Sequence, residues 1–252
     1  MTRSHRPACG PALTLVLTLA CGAPAYAITA PELIAKNVEA RGGSDALQAV
    51  QSVRRQGRVV VNGGQYVLDV AETRQRPESI RFEASLQGLT QVQAYDGKDG
   101  WKIDPFGGRK DPERMSADDV KDLLDDASID GALIDASQHD GRVEYLGTED
   151  IDGTLAHKLK VTGRDADVKY VYLDRDYFLE IRIESQRVIR GVKRTTITDL
   201  GNYEKAGGVY WPLSVESRPK GSSDPAKFEY DTAEVNLQLA PAYFSFPAGG
   251  AK

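Results

Sequence analysis

Cysteine is nearly missing from this chain. Its 252 residues include two, Cys9 and Cys21, and both lie in the first tenth of the sequence. Beyond them no disulfide can staple the fold and no thiol can act as a nucleophile. Histidine is almost as scarce, with three residues, His5, His139 and His157. G-x-S-x-G, H-E-x-x-H and paired metal-ligand spacings are all missing, so the reading is of a protein that is not an enzyme and carries no metal or cofactor. Past the N-terminal region no stretch approaches the ~18 apolar residues of a membrane-spanning helix. Positive charge is in deficit too: the net charge of −5 argues against nucleic acid as a partner.

The N-terminal region has a composition of its own. Arg3 and Arg6 precede an apolar run from Ala12 to Ala20, and Ala25-Tyr26-Ala27 forms an A-x-A cleavage signature. Residues 1–27 are expected to be a signal peptide, leaving residues 28–252 as one exported domain. Leu17-Thr18-Leu19-Ala20-Cys21 is a second candidate, similar to a lipoprotein cleavage box with Thr18 where leucine is usual. Cleavage there would leave a lipidated Cys21 on the outer membrane. Removing residues 1–27 takes away two of 32 basic residues and none of 37 acidic ones, so the remainder carries −7. About 225 residues are enough to bury a core without covalent help.

What is present is a strand pattern interrupted by short helices. Thr29-Ala30-Pro31-Glu32 reads as a capping box that opens a helix, which Gly42-Gly43 ends, and Ser44 can cap a second short one through Val50. From Ser52 the period is two. Ile80, Phe82, Ala84 and Leu86 alternate with Arg81, Glu83, Ser85 and Gln87, as in an antiparallel strand with one wet face. Tyr95 to Phe106, YDGKDGWKIDPF, has two Asp-Gly pairs and reads as a tight hairpin carrying Trp101. It can be a pocket wall or an ordinary hairpin with a core tryptophan.

Ser116 then caps a helix to Ala127 that is apolar at Val120, Leu123 and Leu124 and acidic over the rest; Ala132-Leu133-Ile134 follows. Strands are expected over 142–151, 154–161, 168–174, 177–185, 192–200, 209–217 and 228–239, with a closing segment at Tyr243 to Phe246. The fold class is α+β: a large antiparallel sheet that must curl toward an incomplete barrel, with short helices on its concave side forming a lid.

The chain resembles the outer-membrane lipoprotein-sorting family, the LolA/LolB-like periplasmic carriers. The resemblance rests on Ala40-Arg41-Gly42-Gly43, on Tyr95-Asp96-Gly97 with Gly100-Trp101 and Asp104-Pro105, on Tyr172-Leu173-Asp174 with Leu179-Glu180-Ile181-Arg182, and on Gly207-Gly208-Val209-Tyr210-Trp211-Pro212. It implies an unclosed barrel capped by helices around an apolar cavity for acyl chains. It also implies lipoprotein or lipid acyl chains as partners, contact with the outer membrane and a monomeric carrier. The family's lid-locking strand arginine has no counterpart that the sequence alone singles out.

On this reading Phe82, Leu86, Trp101, Ile103 and Trp211 line the cavity, while Leu123, Leu124, Leu133 and Ile134 close it. His157 shares a strand face with Leu155, Leu159 and Val161 and reads as a satisfied core histidine; His139 sits in a turn. Asp126-x-Ser128-x-Asp130-Gly131 resembles the start of a calcium loop but lacks its final glutamate, since Ser137 stands there. Arg187, Arg190, Lys193 and Arg194 flank Gly191 at a hairpin tip, as a solvated turn or as a contact for anionic lipid head groups. An envelope sensor or protein-interaction domain on the same fold is the alternative function.

Overall fold

The computed structural model describes Met1 and residues 28–124, 127–138, 141–163, 167–189 and 191–247. The leader, Asp126, His139 and Arg190 therefore lie outside the described residues.

Helix α1 (Ala30–Ala40) starts with the expected capping box: the Thr29 hydroxyl accepts from the Glu32 amide while the Glu32 carboxylate accepts from the Thr29 amide at 2.8 Å. Helix α2 (Ser44–Ala49) begins one residue earlier than expected, with Gly43 in the capping position. The first meander follows: β1 (Ser52–Val61), β2 (Tyr66–Gln75), β3 (Ser79–Leu86), β4 (Leu89–Tyr95), β5 (Gly100–Asp104) and β6 (Arg109–Arg114). Two helices, α3 (Ala117–Leu124) and α4 (Ala132–Gln138), lead to the second: β7 (Arg142–Ile151), β8 (Thr154–Thr162), β9 (Val168–Asp174), β10 (Glu180–Ile189), β11 (Val192–Ala206), β12 (Val209–Pro219) and β13 (Ala226–Val235).

Strand β13 returns to pair with β1, which fuses the two meanders into one 13-stranded antiparallel sheet, β6-β5-β4-β3-β2-β1-β13-β12-β11-β10-β9-β8-β7. The edge strands β6 and β7 do not pair, so the barrel is not closed. The α+β curled-sheet architecture read from the sequence is the one observed.

Topology and length together require the curl. Because β6 and β7 are opposite edges, the α3–α4 connection must cross the whole sheet. Helix α3 touches Ile80 of β3 through Leu123 and Arg187 of β10 through Asp122. Those strands stand six apart in the sheet, roughly 29 Å if it were flat, whereas eight helical residues measure about 12 Å. The sheet therefore wraps around α3. Bulges assist, since they raise local twist. At the one between Gln56 and Gly57, a Cβ on Gly57 would lie 2.1 Å from the Glu229 carbonyl oxygen, so only glycine fits.

The differences from expectation have local causes. Strand β6 was not foreseen because Arg109–Arg114 has no apolar alternation; it is a polar edge strand, where Pro112 is tolerated. Strand β10 starts at Glu180 and not Tyr177, because the Asp174 carboxylate accepts from the amides of Asp176 and Tyr177 and holds a turn. A register shift between Glu180 and Arg182 follows. The closing segment, Tyr243 to Phe246, is irregular chain.

Candidate functional site

A cavity of about 980 Å³ lies between the concave face of the sheet, α3 and the Ser128–Ala132 segment. Four of the nine expected lining or closing residues surround it: Phe82, Leu123, Leu124 and Trp211. Ile80, Val215 and Phe228 extend the apolar wall.

The other five are elsewhere. A Cβ on Gly100 would meet Val120 of α3 at 2.4 Å, so Gly100 faces the helices and strand alternation turns Trp101 and Ile103 to the outer face. There Trp101 is 1% exposed, clusters with Val92, Ala94, Ile103 and Phe246, and donates its indole N–H to the Phe244 carbonyl at 2.8 Å. The Arg81 guanidinium lies over both Trp101 and Tyr243. Trp101 thus anchors the C-terminal segment across the back of the sheet, and the expectation that it lines the cavity is corrected. Leu133 and Ile134 are buried in α4, the first against Leu33, Leu159 and Leu173 and the second against Leu47, Val50 and Trp211. They are core residues that hold the helix down. Leu86 is half-buried at the end of β3, apart from the lining.

One wall is charged. Glu72 in β2 accepts from Arg55 at 3.0 Å and lies 2.7 Å from Arg74, all three facing the cavity. Burial opposes the charge on Glu72, yet the two guanidiniums outweigh it and hold its pKa at about 2. Arg55 also donates to the Pro212 carbonyl at 2.8 Å and lies over the Tyr230 ring. This trio is not among the residues expected from the sequence. Its signal was parity: Arg55 shares a face with Val53 and Val59, and Glu72 and Arg74 with Val70, and a charge in register with core residues is normally paired.

Polar ties hold the lid. Arg41, at the end of α1, donates to the carbonyls of Ile129, at 3.0 Å, and Asp130. Arg74 reaches the Ser128 carbonyl at 3.0 Å, and Arg76 grips the Asp130 carboxylate with two hydrogen bonds of 2.5 and 2.6 Å. Lys102 pairs with Asp119 at 3.1 Å, and Arg187 with Asp122 at 2.8 Å. Strand arginines thus do bind the lid segment, although no single one stood out in the sequence. Asp130 is committed to Arg76, and the Ser128 hydroxyl accepts from the Asp130 and Gly131 amides, so both serve the turn. Arg187 is 8% exposed beneath α3, so of the two readings of its cluster the solvated turn does not fit this residue.

Two sequence motifs meet in space. A Cβ on Gly42 would lie 2.1 Å from the Gly208 carbonyl oxygen, and the Tyr210 amide donates to the Arg41 carbonyl at 2.9 Å. The A-R-G-G stretch after α1 and the G-G-V-Y-W-P stretch of β12 are docked backbone to backbone, which places Arg41 under the lid and Trp211 in the cavity wall. His157 is 8% exposed, with Nδ1 3.0 Å from the Tyr145 hydroxyl and its ring stacked on Phe178. Burial, reinforced by Arg175, lowers its pKa.

No protein-family model and no curated protein matches the chain. Solved structures do. A LolA superfamily protein from Nitrosomonas europaea superposes with a TM-score of 0.60 at 16% identity, over 87% of this chain and 98% of that one. A DUF1329 family protein from Desulfovibrio piger gives 0.56 at 13%, over 86% and 97%. A domain from Vibrio parahaemolyticus described as outer membrane lipoprotein-sorting gives 0.56 at 12%, over 84% and 94%. The fold is therefore the LolA-like one: an open, curled sheet with helices across its concave face. That is the architecture the sequence resemblance implied.

Proposed function

We propose that this protein is a periplasmic carrier that holds the acyl chains of a lipid or lipoprotein in the cavity beneath α3, within outer-membrane lipoprotein sorting. The observation that carries the reading is the 980 Å³ cavity itself, walled by Ile80, Phe82, Trp211, Val215 and Phe228 and roofed by Leu123 and Leu124. Its volume is at the upper end of the ~300–1,000 Å³ usual for small-molecule sites. Each methylene kept from water is worth ~0.8 kcal/mol, so about 15 methylenes represent ~12 kcal/mol at most. A cavity in place of a filled core favours the carrier over the interaction-domain alternative.

The roof can serve as a lid because its ties are largely polar. The ion pairs of α3, Asp119 with Lys102 and Asp122 with Arg187, each have a partly exposed carboxylate and can be exchanged for water as α3 moves. Catalysis has no part in this reading, since Arg55, Glu72 and Arg74 are engaged with one another. Among the described residues no helix is long and apolar enough to cross a membrane. The reading includes residues 1–27 as an export signal, and intact mass of the exported protein should start at Ile28; a diacylated Cys21 would make it membrane-anchored.

The test uses the two tryptophans. In a Trp101→Phe background, Trp211 emission should shift when a single-chain lysophospholipid is added below its micelle concentration. In a Trp211→Phe background, Trp101 should stay silent. A titration that leaves Trp211 unchanged while Trp101 responds would overturn the assignment of the cavity.

A further inference from the structure

The cavity lining opposes the charge of the chain. Among the described residues, eight lysines and arginines line it against four carboxylates, in a chain whose net charge is −5. The excess gathers where β10 and β11 meet, at the end of the cavity away from the Arg55–Glu72–Arg74 trio. Arg187 and Arg194 stand directly opposite each other across these strands, and both face the cavity. Like charges in such a cross-strand pair repel unless they are compensated. Asp122 of α3 compensates Arg187 at 2.8 Å. Arg194 and its neighbour Lys193 are exposed, and neither pairs with a carboxylate among the described residues. Thr196, Thr198 and Ser217, on the strand face of Arg194, continue the lining inward and offer hydroxyls in place of apolar groups. From Phe82 and Phe228 outward, the lining thus grades from apolar through hydroxyl to cationic.

We infer that this end of the cavity is a head-group site for an anionic amphiphile, with a phosphate seated by Lys193 and Arg194 while its acyl chain lies against Phe82, Leu124 and Phe228. This rests on the acyl-chain reading and adds the class of cargo. A phosphate would supply the negative charge that the Arg187–Arg194 pair lacks on one side. Arginine suits the role because its planar fork can bind two phosphate oxygens at once. A zwitterionic head would bring its own cation into the same rim and lose most of the gain.

The experiment compares lysophosphatidylglycerol with lysophosphatidylcholine of equal chain length, and inorganic phosphate alone, on the wild-type protein and on Lys193→Glu/Arg194→Glu. Both substitutions are at exposed positions, and circular dichroism checks that the fold is retained. The anionic lipid should bind about tenfold more tightly than the zwitterionic one, the yield of one or two charge-assisted hydrogen bonds. The double variant should abolish that preference and leave the zwitterionic lipid's affinity within about twofold. Equal affinities in the wild-type protein would overturn the head-group inference and leave the acyl reading standing, whereas binding of neither lipid would overturn both. Inorganic phosphate binding as tightly as the anionic lipid would show a free-anion site and refute the lipid assignment.

Discussion

The two ends of the concave face are covered in different ways. At the β7–β9 end, α1 and α4 bury Leu33 and Leu133 against Leu159, Val171 and Leu173, all under 2% exposed. Nothing there would gain by opening. At the other end α3 lays Leu123, packed on Ile80, and the half-buried Leu124 over a cavity; ion pairs tie it to β5 and β10, and Arg74 and Arg76 hold the Ser128–Asp130 turn that follows it. On the proposed function, the same sheet carries a fixed clamp and a releasable roof. Apolar packing makes the first, because losing it leaves a void; exchangeable polar bonds make the second, because water can replace them.

The largest effect should come from breaking the clamp. Leu133→Ala and Leu159→Ala each remove a fully buried side chain and should cost ~2–5 kcal/mol, measured as a drop in urea midpoint. Leu124→Ala, over the cavity, should cost less than either and weaken acyl-chain retention instead. If Leu124→Ala matched Leu133→Ala in stability and left lipid binding untouched, α3 would be core and the contrast would disappear.

Next in size is the charged wall. Glu72→Gln leaves Arg55 and Arg74 facing each other without their carboxylate and should cost ~3 kcal/mol, the lower range for breaking a buried pair. The wild-type protein should also show the pair in its acid limb. Glu72 is ionised in both states above the ordinary carboxylate pKa of 4.5, and its folded pKa is about 2. Between those values the unfolded chain takes up the proton first, so stability falls as pH drops from about 4.5 toward 2. Urea midpoints across that range should fall less steeply in Glu72→Gln; an unchanged slope would mean other carboxylates set the acid limb.

The smallest effect concerns His157, near the clamp. Its folded pKa lies below the ordinary 6.5 because burial disfavours the charged ring. Below that pH the unfolded chain binds a proton that the folded chain resists, so stability should decline on acidification from neutrality. His157→Gln should lessen that decline, read as urea midpoints at pH 7 and pH 5.5.

Much of this architecture was legible in the sequence because one-sided alternation and Asx-Gly turns are local signals. The meanders, the capping box at Thr29 and the curl forced by so many strands all followed from them. What escaped depended on contacts distant in sequence. Trp101 looked like a cavity wall because a large aromatic beside a lid helix suggests one. Its real face is set by Gly100 meeting Val120 and by Phe244, 143 residues away, accepting its N–H. Leu133 and Ile134 have the apolar character of a lid, and their packing against α1 and β12 could not be read from α4 alone. The Arg55–Glu72–Arg74 trio was visible as charges in register with core valines, but its pairing spans two strands.

If the proposed function holds, α3 opens over a ligand while α1 and α4 stay fixed. Amide hydrogen exchange with and without lysophospholipid tests it directly. Ala117–Leu124 should exchange through local opening, well ahead of Ala30–Ala40 and Ala132–Gln138, and ligand should change protection in α3 and the Ser128–Gly131 turn while the clamp helices are unaltered. Equal protection of all three helices, released only on global unfolding and indifferent to lipid, would contradict it.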